Sequence, residues 1–128
     1  MRLLLDTHAF LWWILGDDRL SRRARAAIAD PVNTCVLSMA SAWEMAIKLS
    51  LGKMRLEGPL GTFLPEQLAA NGFTAHPIDI RHVARVARLP FHHRDPFDRL
   101  LVAQALEDEL AIVSADKVFS KYRVRRVW

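Results

Sequence analysis

MRLLLDTHAF, residues 1–10, puts an apolar run, an acid and a helix start into ten positions. Leu3, Leu4 and Leu5 show no polar alternation, the pattern of a strand buried on both faces. Asp6 ends the run, and Thr7 is expected to cap a helix carrying Phe10, Leu11, Ile14 and Leu15. Open α/β sheets take their ligands at the carboxyl ends of strands, so Asp6 is a candidate site residue. The local alternative is that Asp6 only assists Thr7 in capping.

Outward from this stretch the pattern repeats. Residues 34–37 form a second short apolar run, closed by Ser38 as a cap. Residues 73–78 form a third, whose Pro77 places it at a sheet edge or strand end. Residues 110–113 form a fourth, followed like the first by a cap-rich segment, Ser114-Ala115-Asp116, and a short helix. Residues 124–128 read as an edge strand, protected by Arg125 and Arg126. Between them lie helices. Ser21 caps the second, and the third spans 39–53 with Trp43, Ala46, Ile47, Ser50 and Leu51 on one face. Another ends at Asn71-Gly72. Asp79 caps one with Ile80, Val83, Ala84 and Ala87 in a stripe stopped by Pro90. Asp95-Pro96 opens the last long helix, a capping side chain followed by proline at the first helical position. Strands alternating with helices predict a single domain over residues 1–128, three-layered α/β/α with a mainly parallel central sheet.

Composition narrows the function. The chain has 128 residues, 52% hydrophobic and 25% charged, enough for one real core. Its single cysteine, Cys35, excludes a disulfide framework and a thiolate zinc cluster. No apolar stretch approaches the roughly 20 residues that cross a bilayer, and Asp6 interrupts the first run too early for a secretory signal. A cytoplasmic protein is therefore expected. The net charge of +4 permits an anionic partner. Arg19, Arg22, Arg23 and Arg25 cluster about the second helix, a pattern most simply read as a solvated face.

Four acids are placed for chemistry. Asp6 and Asp116 follow strands, while Glu44 and Asp98 fall early in helices that start near the same sheet edge. Glu44 also stands four residues before Lys48, a helix-stabilising order by itself. Asp98 follows Asp95 by three residues and shares a face with Leu101, Val102 and Ala105. That face turns inward, so Asp98 reads as functional and Asp95 as the structural cap. Four gathered carboxylates repel unless they bind protons or a cation. Mg²⁺ or Mn²⁺, with oxygen ligands and an affinity for phosphate, resolves the conflict. The histidines form no zinc spacing, His92 and His93 being adjacent, and there is no glycine-rich phosphate loop. A hydrolase whose metal-bound carboxylates activate water against a phosphate ester is the reading these residues support. A haloacid-dehalogenase-like phosphatase stays open, although it wants an aspartate where His8 stands. A receiver-like or non-catalytic RNA-binding module also remains. Lys117, Lys121 and Arg123, just beyond Asp116, are candidates for holding the RNA backbone.

LLLDTHAFLWW, SAWEMAIKLSLGKM, HHRDPFDRLLVAQAL and LAIVSADKVFSKY together resemble a PIN domain of the VapC toxin type, over nearly the whole chain. DPFDRLLVAQA is the most specific piece. The resemblance implies a Mg²⁺- or Mn²⁺-dependent ribonuclease with its acidic quartet on Asp6, Glu44, Asp98 and Asp116. Asp95 carries over as a supporting residue, with Thr7 and Ser114 as small hydroxyl residues near the metal. A homodimer and a cognate antitoxin blocking the cleft are likewise implied by the resemblance alone.

Overall fold

A computed structural model describes residues 1–128. Five short strands, β1 (Arg2–Leu5), β2 (Thr34–Ser38), β3 (Thr74–His76), β4 (Ala111–Val113) and β5 (Arg126–Val127), form one sheet in the order β3-β2-β1-β4-β5. Every pairing is parallel. The first apolar run is thus the central strand, and the two sequence-expected edge strands are the edges. The order reverses on either side of β1, which opens a crevice between the ends of β1 and β4.

Parallel strands need crossovers, and these supply the outer layers. The helices are α1 (Thr7–Leu15), α2 (Arg22–Ala29), α3 (Met39–Ser50), α4 (Leu60–Asn71), α5 (Ile80–Val86) and α6 (Pro96–Asp108). A short 3-10 helix covers Lys117–Lys121. Side-chain alternation divides the core between the sheet's faces. Leu3, Leu5, Cys35, Leu37 and Val113 pack with Phe10, Ile28, Met45 and Phe73 on one side. Leu4, Val36 and Ile112 pack with Leu101, Val102, Ala105, Phe119 and Tyr122 on the other. The expected three layers are present.

Three local expectations are corrected. Asp6, not Thr7, is the N-cap of α1: its Oδ1 accepts the Ala9 N–H at 2.8 Å, and Thr7 is the first helical residue. The carboxylate reaches the third helical N–H, which releases the Thr7 hydroxyl for another partner. On α5 the apolar stripe does not face inward, since Ile80 and Val83 are 85% and 58% exposed. This seven-residue helix is held instead by His82, 1% exposed, whose Nδ1 accepts the Asp79 N–H at 3.0 Å and whose Nε2 meets Asp108. On α3 both ends of the sequence-derived face lie at the surface, Trp43 at 60% and Leu51 at 62% exposure. The helix lies between the two cores and buries Ala40, Ser41, Ala42 and Met45 instead.

Buried polar groups lock α6 in place. The Ser38 hydroxyl donates to Gln104 Oε1, and Gln104 Nε2 donates to the Pro77 carbonyl at 3.1 Å. Arg99, 6% exposed, has no carboxylate partner; its guanidinium donates to the carbonyls of Val86, Leu89, Pro90 and His93. Those carbonyls satisfy a buried cation and pin the 86–93 segment against α6.

Candidate functional site

Four chain segments bring their acids to the carboxyl edge of the sheet. Asp6 comes from the end of β1. Glu44 is in the second turn of α3, Asp98 in the first turn of α6, and Asp116 caps the 3-10 helix after β4. Three of the four sit where a helix N-terminus offers unpaired N–H groups and a positive dipole end. Asp6 Oδ1 takes one such N–H, and Asp116 Oδ1 takes the Val118 N–H at 2.9 Å. The Asp98 N–H is taken by Asp95 Oδ1 at 3.0 Å, the helix-capping role read for Asp95 from sequence.

Neighbouring hydroxyl and ammonium groups orient these acids. The Thr7 hydroxyl donates to Glu44 Oε1 at 2.7 Å, linking α1 to α3. Lys48 Nζ lies 3.0 Å from Glu44 Oε2, so the pair expected along the helix is formed within the site. The fully buried Ser114 hydroxyl accepts the Asp116 N–H at 3.0 Å and stands near enough to the Asp6 carboxylate to favour its charge. Thr7 and Ser114 thus stand beside three of the four acids.

His93 was not among the sequence candidates, yet its Nε2 lies 2.9 Å from Asp98 Oδ2 and 3.2 Å from Asp116 Oδ2. Neither oxygen lies along the ring N–H direction, so these are close contacts and not aligned hydrogen bonds. Its Nδ1 accepts the Asp95 N–H at 3.2 Å, which in the neutral ring puts the proton on Nε2, facing the acids. The available signal was its position two residues before the capping Asp95, where the chain must turn into α6. Arg99, whose carbonyl contacts shape that turn, announced itself as a charge on the buried face of α6.

The electrostatics are those of gathered, under-compensated carboxylates. Burial raises the Asp6 carboxyl, and nearby Asp116 raises it further, against lowering by Ser114, the Ala9 N–H and His8. Burial also pushes Asp98 up to about 7, with the charges of Asp95, Asp6 and Glu44 adding to it and His93 opposing. A divalent cation would remove this conflict. The all-oxygen carboxylate set fits a hard cation, while His93 in that tautomer presents a proton and not a lone pair. By spacing, Asp98 and Asp116, with His93, offer ligand atoms close enough to share one ion; Asp6 borders them, and Glu44 is steadied by Thr7 and Lys48.

A second cluster, His76, His82 and Asp108, is a clasp of another kind. Both ring Nε2 atoms meet Asp108 Oδ2, at 2.7 and 2.6 Å, and Arg81 donates to Oδ1 at 3.0 Å. Burial works against the Asp108 charge, but these three hydrogen bonds prevail and bring its carboxyl down to about 2. With His82 Nδ1 committed as an acceptor, Nε2 carries a proton. The clasp ties α5 to α6.

The basic candidates separate. Lys117 is exposed directly after Asp116. Lys121 and Arg123 line a cavity of about 430 Å³ with Arg85, Arg88 and His92 that includes none of the four acids. No helix is long and apolar enough to cross a membrane.

The family model described as PIN domain matches residues 3–124 of this chain. Ribonuclease VapC22 of Mycobacterium tuberculosis is 30% identical over an alignment covering 98% of each chain. Ribonuclease VapC16 of the same organism is 37% identical over 60 residues, 47% of this chain and 43% of that protein, so this match spans less than half of either. Among solved structures, VapBC2 from Rickettsia felis, bound to a DNA fragment from its promoter, superimposes over 100% of both chains with a TM-score of 0.69 at 12% identity. FitAcB from Neisseria gonorrhoeae covers 97% of this chain and 95% of its own, with a TM-score of 0.61 at 20% identity. At these identities the structural likeness is one of fold.

Proposed function

The chain belongs to the PIN domain family, and from that premise we propose that it is a VapC-type toxin, an endoribonuclease dependent on Mg²⁺ or Mn²⁺. The observation that carries the reading is the meeting of Asp6, Glu44, Asp98 and Asp116 from four distant segments, with Asp6 raised by burial and by Asp116, and Asp98 by burial and by Asp95, Asp6 and Glu44. Phosphatase and receiver readings require a different family, and a passive RNA binder has no use for four gathered carboxylates.

In this reading Asp6, Asp98 and Asp116 would hold the cation, and Glu44 would complete the acidic wall. The cation, when bound, neutralises the carboxylates, polarises a phosphodiester oxygen and acidifies water. Thr7 and Lys48 keep Glu44 from swinging away, and Ser114 favours the charge of Asp6. His93 holds a proton on Nε2 beside Asp98 and Asp116, limiting their repulsion before the cation arrives. Lys117, and farther out Lys121 and Arg123, grip the flanking RNA backbone. The VapBC2 assembly among the solved neighbours supports a cognate antitoxin partner. The resemblance adds a homodimer, acting in the cytoplasm where its RNA substrate lies.

The deciding experiment is cleavage of total RNA with Mg²⁺ or Mn²⁺, with a chelator and with Asp6→Asn. The parent should cut only with metal, and Asp6→Asn should be folded and inert. Full activity of purified Asp6→Asn would remove Asp6 from the mechanism.

A further inference from the structure

Trp43 is the largest aromatic side chain left in solvent, 60% exposed on a helix that buries its neighbours Ala42 and Met45. A surface tryptophan is a common mark of a binding site. Its place is specific. Trp43 immediately precedes Glu44 on α3, and it meets Phe97, which immediately precedes Asp98 on α6. The two rings are 5.3 Å apart at 74°, an edge-on contact that fixes the indole and leaves its other surface open. Trp43 and Phe97 are thus each one residue from an acid of the crevice, on the same two helical turns, with side chains turned about 100° from it. Single-stranded RNA is held by aromatic stacking of splayed bases together with electrostatic contacts to its backbone. An acidic crevice can hold a phosphate only through a cation, so grip on the base must come from a neighbouring uncharged surface.

We propose that Trp43, braced by Phe97, is a stacking platform for one nucleobase of the RNA next to the phosphodiester that is cut. This inference rests on the ribonuclease reading and adds a base-contacting residue to it. Lys117 and the acids engage backbone, whereas Trp43 engages a base face. On its other flank Trp43 lines an apolar groove of about 500 Å³ with Met39, Ala46, Leu60 and Leu64. A protein seated in that groove is the competing occupant. The edge-on bracing by Phe97, next to Asp98, favours the base.

The test uses full-length protein in an Asp6→Asn background with Ca²⁺, titrated with a short fluorescein-labelled single-stranded RNA. A companion series of the same RNA lacks one base at a time. Trp43→Ala should weaken binding by about 5- to 100-fold, and Trp43→Phe should keep most of the affinity. Removing the stacked base should weaken the Asp6→Asn protein by the same factor and cost the additional Trp43→Ala variant nothing more. Unchanged affinity in Trp43→Ala, or losses that add to it at every base position, overturns the platform. A changed oligomeric state with unchanged RNA affinity also overturns it and gives Trp43 to a protein contact. Cleavage by the otherwise unaltered protein separates the two levels. If that protein cuts RNA while Trp43→Ala binds normally, only the platform fails. If it neither binds nor cuts RNA with Mg²⁺, the ribonuclease reading fails and the platform with it.

Discussion

Asp98 carries two demands that conflict in the absence of metal. It must be ionised to hold a cation, yet burial and the nearby charges of Asp95, Asp6 and Glu44 push its carboxyl up to about 7. A carboxyl raised on folding binds its proton more tightly in the folded state. Its contribution is therefore most favourable below the unfolded value of about 3.9 and is lost as pH rises toward 7. Metal-free protein should melt at a progressively lower temperature from pH 5 to pH 8. Asp98→Asn should flatten that trend, and Mg²⁺ should offset it in the parent but not in the variant. Calorimetric melts across pH read all three, and a parent whose melting temperature rises over that range would contradict the assignment. Asp95 makes a different prediction. Loss of its cap in Asp95→Ala should cost about 0.5–2 kcal/mol in denaturant melts. RNA cleavage should fall partly, through misplacement of Asp98. If cleavage vanishes while stability is unchanged, Asp95 is a metal ligand and not a cap.

At the scale of the element, what was legible depended on how much of a helix's fate is local. Caps are local chemistry, so Ser21, Ser38, Asp79 and Asp95 were readable, and all four cap their helices. Apolar stripes are not local. Those on α3 and α5 misled because α3 is shared by two cores and α5 is anchored through His82, neither of which any spacing rule encodes. His93 was passed over because adjacent histidines were weighed as zinc ligands, while its real partners lie on other segments. The end of α6 supplies a sharper test. Glu109 takes a left-handed conformation, φ 55°, where a side chain is strained and glycine is the usual residue. Glu109→Gly should raise stability by about 0.5–1 kcal/mol, net of the extra freedom glycine gives the unfolded chain. Urea melts check it; no gain would mean that the Glu109 side chain supports the turn in some other way.

Over the whole molecule, a net charge of +4 surrounds an acidic crevice, so RNA grip should depend on salt. In a Ca²⁺-loaded, inactive background, affinity should fall with salt at a log–log slope of about −0.7 for each phosphate neutralised. Removing Lys117 and Lys121 together should flatten that slope, and changing Arg22 and Arg23 should alter it less. An unchanged slope in the double lysine variant would move the RNA path elsewhere on the surface. The parallel sheet adds a consequence in time. Strand β1 is central, yet its neighbour β4 lies more than a hundred residues later in the chain, and the acids that flank the crevice are equally far apart. A growing polypeptide that has just left the ribosome carries Asp6 but has no Asp116 to set beside it. Its half-built sheet can pair β1 with β2 while one wall of the crevice does not yet exist. A nuclease arranged in this way cannot assemble its acidic site until Asp116, more than a hundred residues after Asp6, has been translated.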